Sequence, residues 1–333
     1  MISKSTHLSR ITAIGILILL FSSISFTIGF FIGRSNKGIP FVGTKDYIWS
    51  IGIYMGNSPF DLTSPKHCDN PVLTASDVSD VPADFVADPF MVHEGDAWYM
   101  FFEVLNLHTQ HGDIGLASST NGFKWTYQQI VLDEPFHLSY PCVFEWNEEY
   151  YMIPESAEAQ EIRLYKATTF PLKWTFIKTL MEGDFIDPSI FYFKDKWWMF
   201  AEINPKGSDT LGLYYADNLT GPWLAHPRNP IIVGNANIAR PGGRVILFNE
   251  CVIRFTQDCK PIYGNQVRAF EVTELTTTTY EEREVVTNPI LTPTGSGWNA
   301  KGMHHLDPHQ MENNKWIACV DGFKESLVIG LNY

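Results

Sequence analysis

A chain of 333 residues that is 45% hydrophobic and 14% aromatic but only 18% charged carries enough apolar surface to offset the entropy of ordering, which excludes a disordered protein. Its net charge of −13 excludes nucleic acid as the main partner, because a phosphate backbone needs a Lys/Arg surface to displace its counterions. A length of this size suits one large all-β unit or two average domains.

Residues 1–10 read as a short tail. From Ile11 to Gly33 the chain runs 23 residues without a charge, and a helix of that length spans a hydrocarbon core of about 30 Å. The run exceeds the roughly 7 to 15 apolar residues of a cleaved secretory signal, and no A-x-A-like site follows it. The expectation is therefore an uncleaved transmembrane anchor over 11–33, with a linker over 34–44. Lys4 and Arg10 precede the run and Arg34 and Lys37 follow it, so flanking charge does not set the orientation. A lone N-terminal anchor ahead of one polar domain leads us to expect the N-terminus in the cytosol and the rest on the lumenal, periplasmic or extracellular side.

Residues 45–333 lack helical periodicity and repeat themselves. ADPFMVHEGDAWYMFFE ends at Glu103, and the pattern returns as YPCVFEWNEEYYMIPE to Glu155 and IDPSIFYFKDKWWMFAE to Glu202. Weaker copies are RPGGRVILFNECVIRFTQ from Arg240 and LDPHQMENNKWIACVD from Leu306 to Asp321. After each of the first four comes another apolar run, ending at Trp125, Trp174, Trp223 and Tyr280. Short β-branched and aromatic runs split by turns such as EGDA and KDK are hairpin chemistry. A period of about 50 residues with three or four strands per copy predicts a five-bladed β-propeller, since no such unit buries its faces alone. WSIGIYMGN, from Trp49, resembles a third or fourth strand without its first two, and is expected to complete the last blade.

In each copy a hairpin brings the start of the first strand and the end of the second to one edge. Five-fold repetition then places Asp88, Tyr140, Asp187, Arg240 and His305 or Asp307 around one mouth of the channel. Glu103, Glu155, Glu202 and Asp321 stand behind them. Carboxylates with aromatic faces suit a sugar, whose ring stacks while its hydroxyls hydrogen-bond. The same Asp residues could instead cap turn amides, and the WYMFF, YYMI and WWMF runs read as core packing. His304 and His305 fit a metal or substrate pair, a pH-sensitive group, or satisfied polar residues.

No cofactor is expected, and no dedicated metal-ligand motif appears; a structural or funnel-bound divalent cation is compatible with the residues. The five cysteines include no C-x-x-C pair. Cys251 and Cys259 are near enough in sequence to bridge, yet the apolar runs around Cys142, Cys251 and Cys319 favour buried thiols.

The motifs from WSIGIYMG through ADPF, MFFE, LSYP, YYMIPES, RLYKA and IDPSIF to HHLDPH, in that order, resemble the N-terminal domain of plant glucosamine inositolphosphorylceramide transferases and its stand-alone microbial relatives, over about residue 45 to the end. The resemblance implies a carbohydrate-related domain that in the plant proteins follows a membrane anchor and precedes a separate glycosyltransferase domain. It does not imply the transferase activity, which belongs to that other domain. More distantly the chain is similar to the five-bladed propellers of glycoside hydrolase families 43, 32 and 68. The likeness to family 43 implies Asp88 as base and Asp187 as the orienting carboxylate. It puts Arg240 where the fourth blade should supply a general acid, a role that a permanently protonated guanidinium cannot fill. Glu155, or else Glu202, would have to take that part. Glu250-Cys251 is similar to an acid motif of families 32 and 68 but falls in an expected hairpin turn. Two functions follow: a membrane-anchored glycoside-active enzyme using Asp88, Asp187 and Glu155, or a non-catalytic module that binds a glycan or glycolipid head group for a partner glycosyltransferase, with Glu103, Tyr140, Glu202, Arg240, His304, His305 and Asp307 lining the site.

Overall fold

The structure, a computed structural model, describes residues 42–329. The expected anchor over 11–33 lies outside them, and no helix of the described residues is long and apolar enough to cross a membrane. Tyr47–Lys324 form one compact unit; of the other, 1–46 with 325–333, only the strand ends 42–46 and 325–329 are described.

Five four-stranded antiparallel sheets follow one another. Blade one comprises Ala83–Glu94, Ala97–Asn106, His111–Ser119 and Thr126–Leu132. Blades two and three, Ser139–Glu182 and Ile186–Ala225, repeat the same meander. The fifth blade closes the ring with strands from both ends of the chain, in the order Leu306–Gln310, Trp316–Ile329, Val42–Ser58, Asp61–Thr63. WSIGIYMGN is thus the third strand of the last blade. A chain that begins at Pro65 lacks half of that blade and leaves an open sheet edge, so it is expected to lose its cooperative unfolding transition in calorimetry.

The repeated aromatic runs are the core, as their alternation demands. Met100 and Phe102 pack toward blade five with Ile51, Ile53 and Ile317, whereas Phe101 packs toward blade two with Tyr140 and Ile153. The inner strands bury both faces because a blade has a neighbour on either side, whereas outermost strands such as Lys173–Glu182 are largely exposed. Two-residue turns with positive φ at both positions join the inner pairs of blades two to four, at Asn147–Glu148, Lys194–Asp195 and Asn249–Glu250. Their twist matches that of the strands, and Glu250 is one of these turn residues. Cys251 and Cys259 lie at opposite ends of the strand Cys251–Asp258, about 26 Å apart at 3.3 Å per residue, and all five cysteines are free.

The fourth blade departs from the expected pattern. Its innermost strand is only Ile246–Phe248, and Arg240–Val245 instead makes two isolated bridges, Pro241 to Thr256 and Gly243, in parallel, to Leu306 of blade five. A Cβ on Gly243, at φ +133, would lie 1.8 Å from the Leu306 carbonyl oxygen. Only glycine permits that approach.

Candidate functional site

In blades one to three the inner ladder skips at the same place, between Ala87 and Phe90, Ser139 and Cys142, and Ile186 and Ser189. The residue inside each bulge has left-handed backbone: Asp88 at φ 52, Tyr140 at 45, Asp187 at 52. Such a conformation costs about 1–3 kcal/mol and persists only where the surroundings fix it. A proline follows each time, which loses nothing because the bulge has no ladder bond to donate. Directly across stand the acids: Ala87 faces Glu103, Ser139 faces Glu155 and Ile186 faces Glu202.

Glu103, Glu155 and Glu202 each lie six residues past the first residue of their strand, and the same count from Cys251 reaches Gln257. Gln257 is the fourth member of this ring. Its signal is present, since the fourth copy ends in Gln where the first three end in Glu and the fifth in Asp, but a search for carboxylates passes over an amide.

These residues converge. The Asp187 Oδ2 accepts hydrogen bonds from Arg240 Nε at 2.6 Å and from Gln257 Nε2 at 2.8 Å. Asp88 Oδ1 lies 3.6 Å from His305 Nδ1 and 3.8 Å from His304 Nδ1. Asp321 fixes this corner: it accepts the backbone N–H groups of Asp88, His304 and His305, and its Oδ2 lies 2.8 Å from His304 Nδ1. Trp49 stacks on the His304 ring at 3.9 Å, and Tyr263 meets that ring edge-on at 5.4 Å and the Arg240 guanidinium at 5.1 Å. Trp49 and Tyr263 are not repeated elsewhere in the ring, so periodicity could not flag them.

Two expected members serve elsewhere. Tyr140 is fully buried, and its hydroxyl meets Ser189 Oγ and both the N–H and the carbonyl of Gly243. Asp307 pairs across to Cys319, a register matching Phe90 opposite Phe101 in blade one and so two residues deeper than Asp88. Its carboxylate accepts from the Met91 N–H at 2.6 Å and His309 Nε2 at 3.0 Å, and pairs with Arg244. Asp307 is a structural anchor by these contacts.

Environment drives the acids apart. Burial works to raise Asp88, but the His305 and His304 imidazoles and Arg240 outweigh it and hold the carboxyl below its usual range. Glu103 is pushed well above, first by burial and then by Asp88, Glu155, Asp187 and Asp321; its nearest cation-forming neighbour is His137 Nε2 at 3.5 Å. Glu155 is raised by burial against the Ser139 hydroxyl and the Ala157 N–H, which satisfy both its oxygens. Glu202 is likewise raised by burial. Asp187 reaches about 6, because burial, Asp88 and Glu155 overcome Arg240.

The Asp187 shift sets a pH dependence. Its folded pKa lies above the ordinary 3.8, so its contribution to stability is full below about pH 4 and is lost as pH rises through about 6. Relative to Asp187→Asn, the unsubstituted chain should therefore lose melting temperature across that window. A difference that stays flat, or rises, would contradict the assignment.

Asp88, His304 and Asp321 offer ligand atoms within 4.8 Å of one another, which meets the geometric requirement for a cation at this corner.

Solved structures share this architecture. A glycosyl hydrolase from Bacteroides ovatus superposes with a TM-score of 0.60 over 79% of this chain and 92% of its own, at 11% identity. A thermostable family-43 glycoside hydrolase gives 0.54 over 79% and 95%, at 15% identity. In sequence, glucosamine inositolphosphorylceramide transferase 1 of Oryza sativa subsp. japonica is 37% identical over 295 residues, covering 82% of this chain and 40% of its own length. The Arabidopsis thaliana protein of that name is 35% identical, with 82% and 39% covered. The chain thus spans about 40% of the length of the curated relatives it matches. Residues 43–323 match the family described as glucosamine inositolphosphorylceramide transferase 1, N-terminal, and the chain belongs to that family.

Proposed function

We propose that this end of the propeller binds a sugar, the head group of a glycan or glycolipid, against Trp49 and Tyr263. One observation carries the reading. Leaving aside His304 Nδ1, which lies 2.8 Å from Asp321 Oδ2, eight buried side-chain atoms lack a hydrogen-bond partner among the described residues, and five belong to this cluster: Asp88 Oδ1, Asp187 Oδ1, Glu202 Oε2 and both ring nitrogens of His305. Each unmet group costs about 1–3 kcal/mol, and the set mixes acceptors with groups able to donate. Sugar hydroxyls do both, so a polyhydroxylated ligand relieves that cost where an apolar one would not. The relatives' name, a transferase for an inositolphosphorylceramide, supports a glycolipid head group, with Arg240 and the histidines suited to an anionic substituent. In this reading the apolar run 11–33 anchors the chain with its N-terminus cytosolic, and a glycosyltransferase is the partner that receives the sugar. Calorimetry with a panel of glycosides and inositol phosphates tests it. Arg240→Ala should weaken the best ligand at least tenfold; an unchanged affinity, or no ligand in the panel, would remove the proposal.

A second reading is favoured by the opposed displacements of Asp88 and Glu103. Two carboxyls pushed apart supply a base and an acid, and with both Glu155 oxygens already engaged Glu103 is the better proton donor for glycosidic cleavage. An aryl glycoside turned over by the unsubstituted chain and not by Asp88→Asn would favour this reading.

A further inference from the structure

We propose a second, separate site in blade one: His111, Asp113 and Asp133 bind a divalent transition-metal ion. The sheet register creates it. Ile114 pairs with Leu132 on the neighbouring strand, so the next pair outward sets Asp113 opposite Asp133, and like charges directly across a ladder are destabilising. His111 lies two residues before Asp113 and so shares its face of the strand. One ligand atom from each of the three lies within 4.8 Å of the others.

The buried carboxylate supplies the second observation. Asp113 is 1% exposed, and its Oδ1 has no hydrogen-bond partner among the described residues although it lies 3.3 Å from His111 Nδ1. Its other oxygen is already committed, accepting from Asn106 Nδ2 at 2.8 Å, while Asn106 Oδ1 accepts the His108 N–H. An outer amide that fixes one carboxylate oxygen and leaves the other aimed at a cluster is how ligands are oriented at metal centres. Asp133 is exposed and His111 half-buried, so an ion has a path in and room for water ligands. One imidazole nitrogen with carboxylate oxygens favours Zn²⁺, Mn²⁺ or Co²⁺ over Ca²⁺ or Mg²⁺, which take oxygen alone.

The position matters to the sugar site. Gly112, between the two ligands, donates its N–H to His137 Nδ1 at 2.9 Å, and His137 Nε2 faces Glu103. A bound ion would pin the peptide that holds His137 against Glu103, so it would stabilise the fold and the neighbouring centre together.

The test uses the full chain, stripped with chelator and titrated with ZnCl₂, MnCl₂ or CoCl₂. The expectation is a rise in melting temperature of about 5 °C at an ion concentration a hundred times Kd, together with visible Co²⁺ bands. Because Asp88, His304 and Asp321 form another candidate cluster, the decisive comparison is with His111→Gln and Asp133→Asn, both substitutions at accessible positions. Each should lose one bound equivalent and the Co²⁺ bands while retaining the unliganded melting temperature within a few degrees. Equal uptake by the parent and both variants would overturn the proposal, as would a thermal shift produced by Ca²⁺ and by none of the three transition metals. Sugar affinity is read separately: a parent chain that binds the ion through His111 and Asp133 but binds no sugar would remove the proposal above and leave this one standing.

Discussion

Arg244→Met should lower stability by about 3–5 kcal/mol, the cost of leaving a buried charge without its partner. Arg244, from blade four, pairs with Asp307 of blade five and donates to the carbonyl oxygens of Val143 in blade two and Met91 in blade one. Four blades therefore meet at one guanidinium. Asp307 is wholly buried; burial works against its charge, but Arg244 and then His309 overcome it and hold the carboxyl well below the usual range. Without the guanidinium that ion remains in the core with the Met91 N–H, His309 and the weak Cys319 thiol donor. At about 2–4 °C per kcal/mol for a domain of this size, the melting temperature should fall by roughly 10 °C. Arg244→Lys should recover little, because an ammonium cannot reach three acceptors in a planar fork. A urea midpoint implying less than about 1 kcal/mol for Arg244→Met would show that the hub is held by packing instead.

Much of this architecture is legible in the sequence, and the reasons differ residue by residue. The period is visible because both faces of the second strand are buried, so Met100 and Phe101 return as Met152 and Ile153 and as Met199 and Phe200. Asp88 and Asp187 are visible because a bulge followed by proline repeats with them. The fourth inner strand is not, since Pro241-Gly242-Gly243 contributes backbone rather than a side-chain pattern, and its bridge to Leu306 is parallel and non-local. Asp307 misleads because Asp-Pro recurs there without the bulge: 15 residues separate Asp88 from Glu103 but 14 separate Asp307 from Asp321, and that one residue shifts the carboxylate from the mouth to the hub. Asp113 and Asp133 stand 20 apart in sequence, and only the register makes them neighbours.

Asp88→Asn and Glu103→Gln, two nearly isosteric changes in one cluster, should move stability in opposite directions at neutral pH. The folded state lowers the Asp88 pKa, so its stabilising contribution is present above the unfolded value, and the amide forfeits it. Glu103 has a raised folded pKa, and its contribution is lost as pH rises toward and through that value; a neutral amide escapes this loss, so Glu103→Gln should melt higher than the parent, and increasingly so toward alkaline pH. Function should respond with one sign. If the pair acts as base and acid, each change lowers turnover of a glycoside by about 10²–10⁴, the usual worth of a positioned proton-transfer group, with little change in KM because the amide still fits the substrate. If the cluster only binds, both changes weaken the sugar and no turnover exists to lose. Stability gained at the expense of activity is the ordinary signature of a group retained for its chemistry. A Glu103→Gln chain that melts lower than the parent at pH 8 would mean that the carboxyl is a paired structural group, and the assignment of acid and base would fall with it.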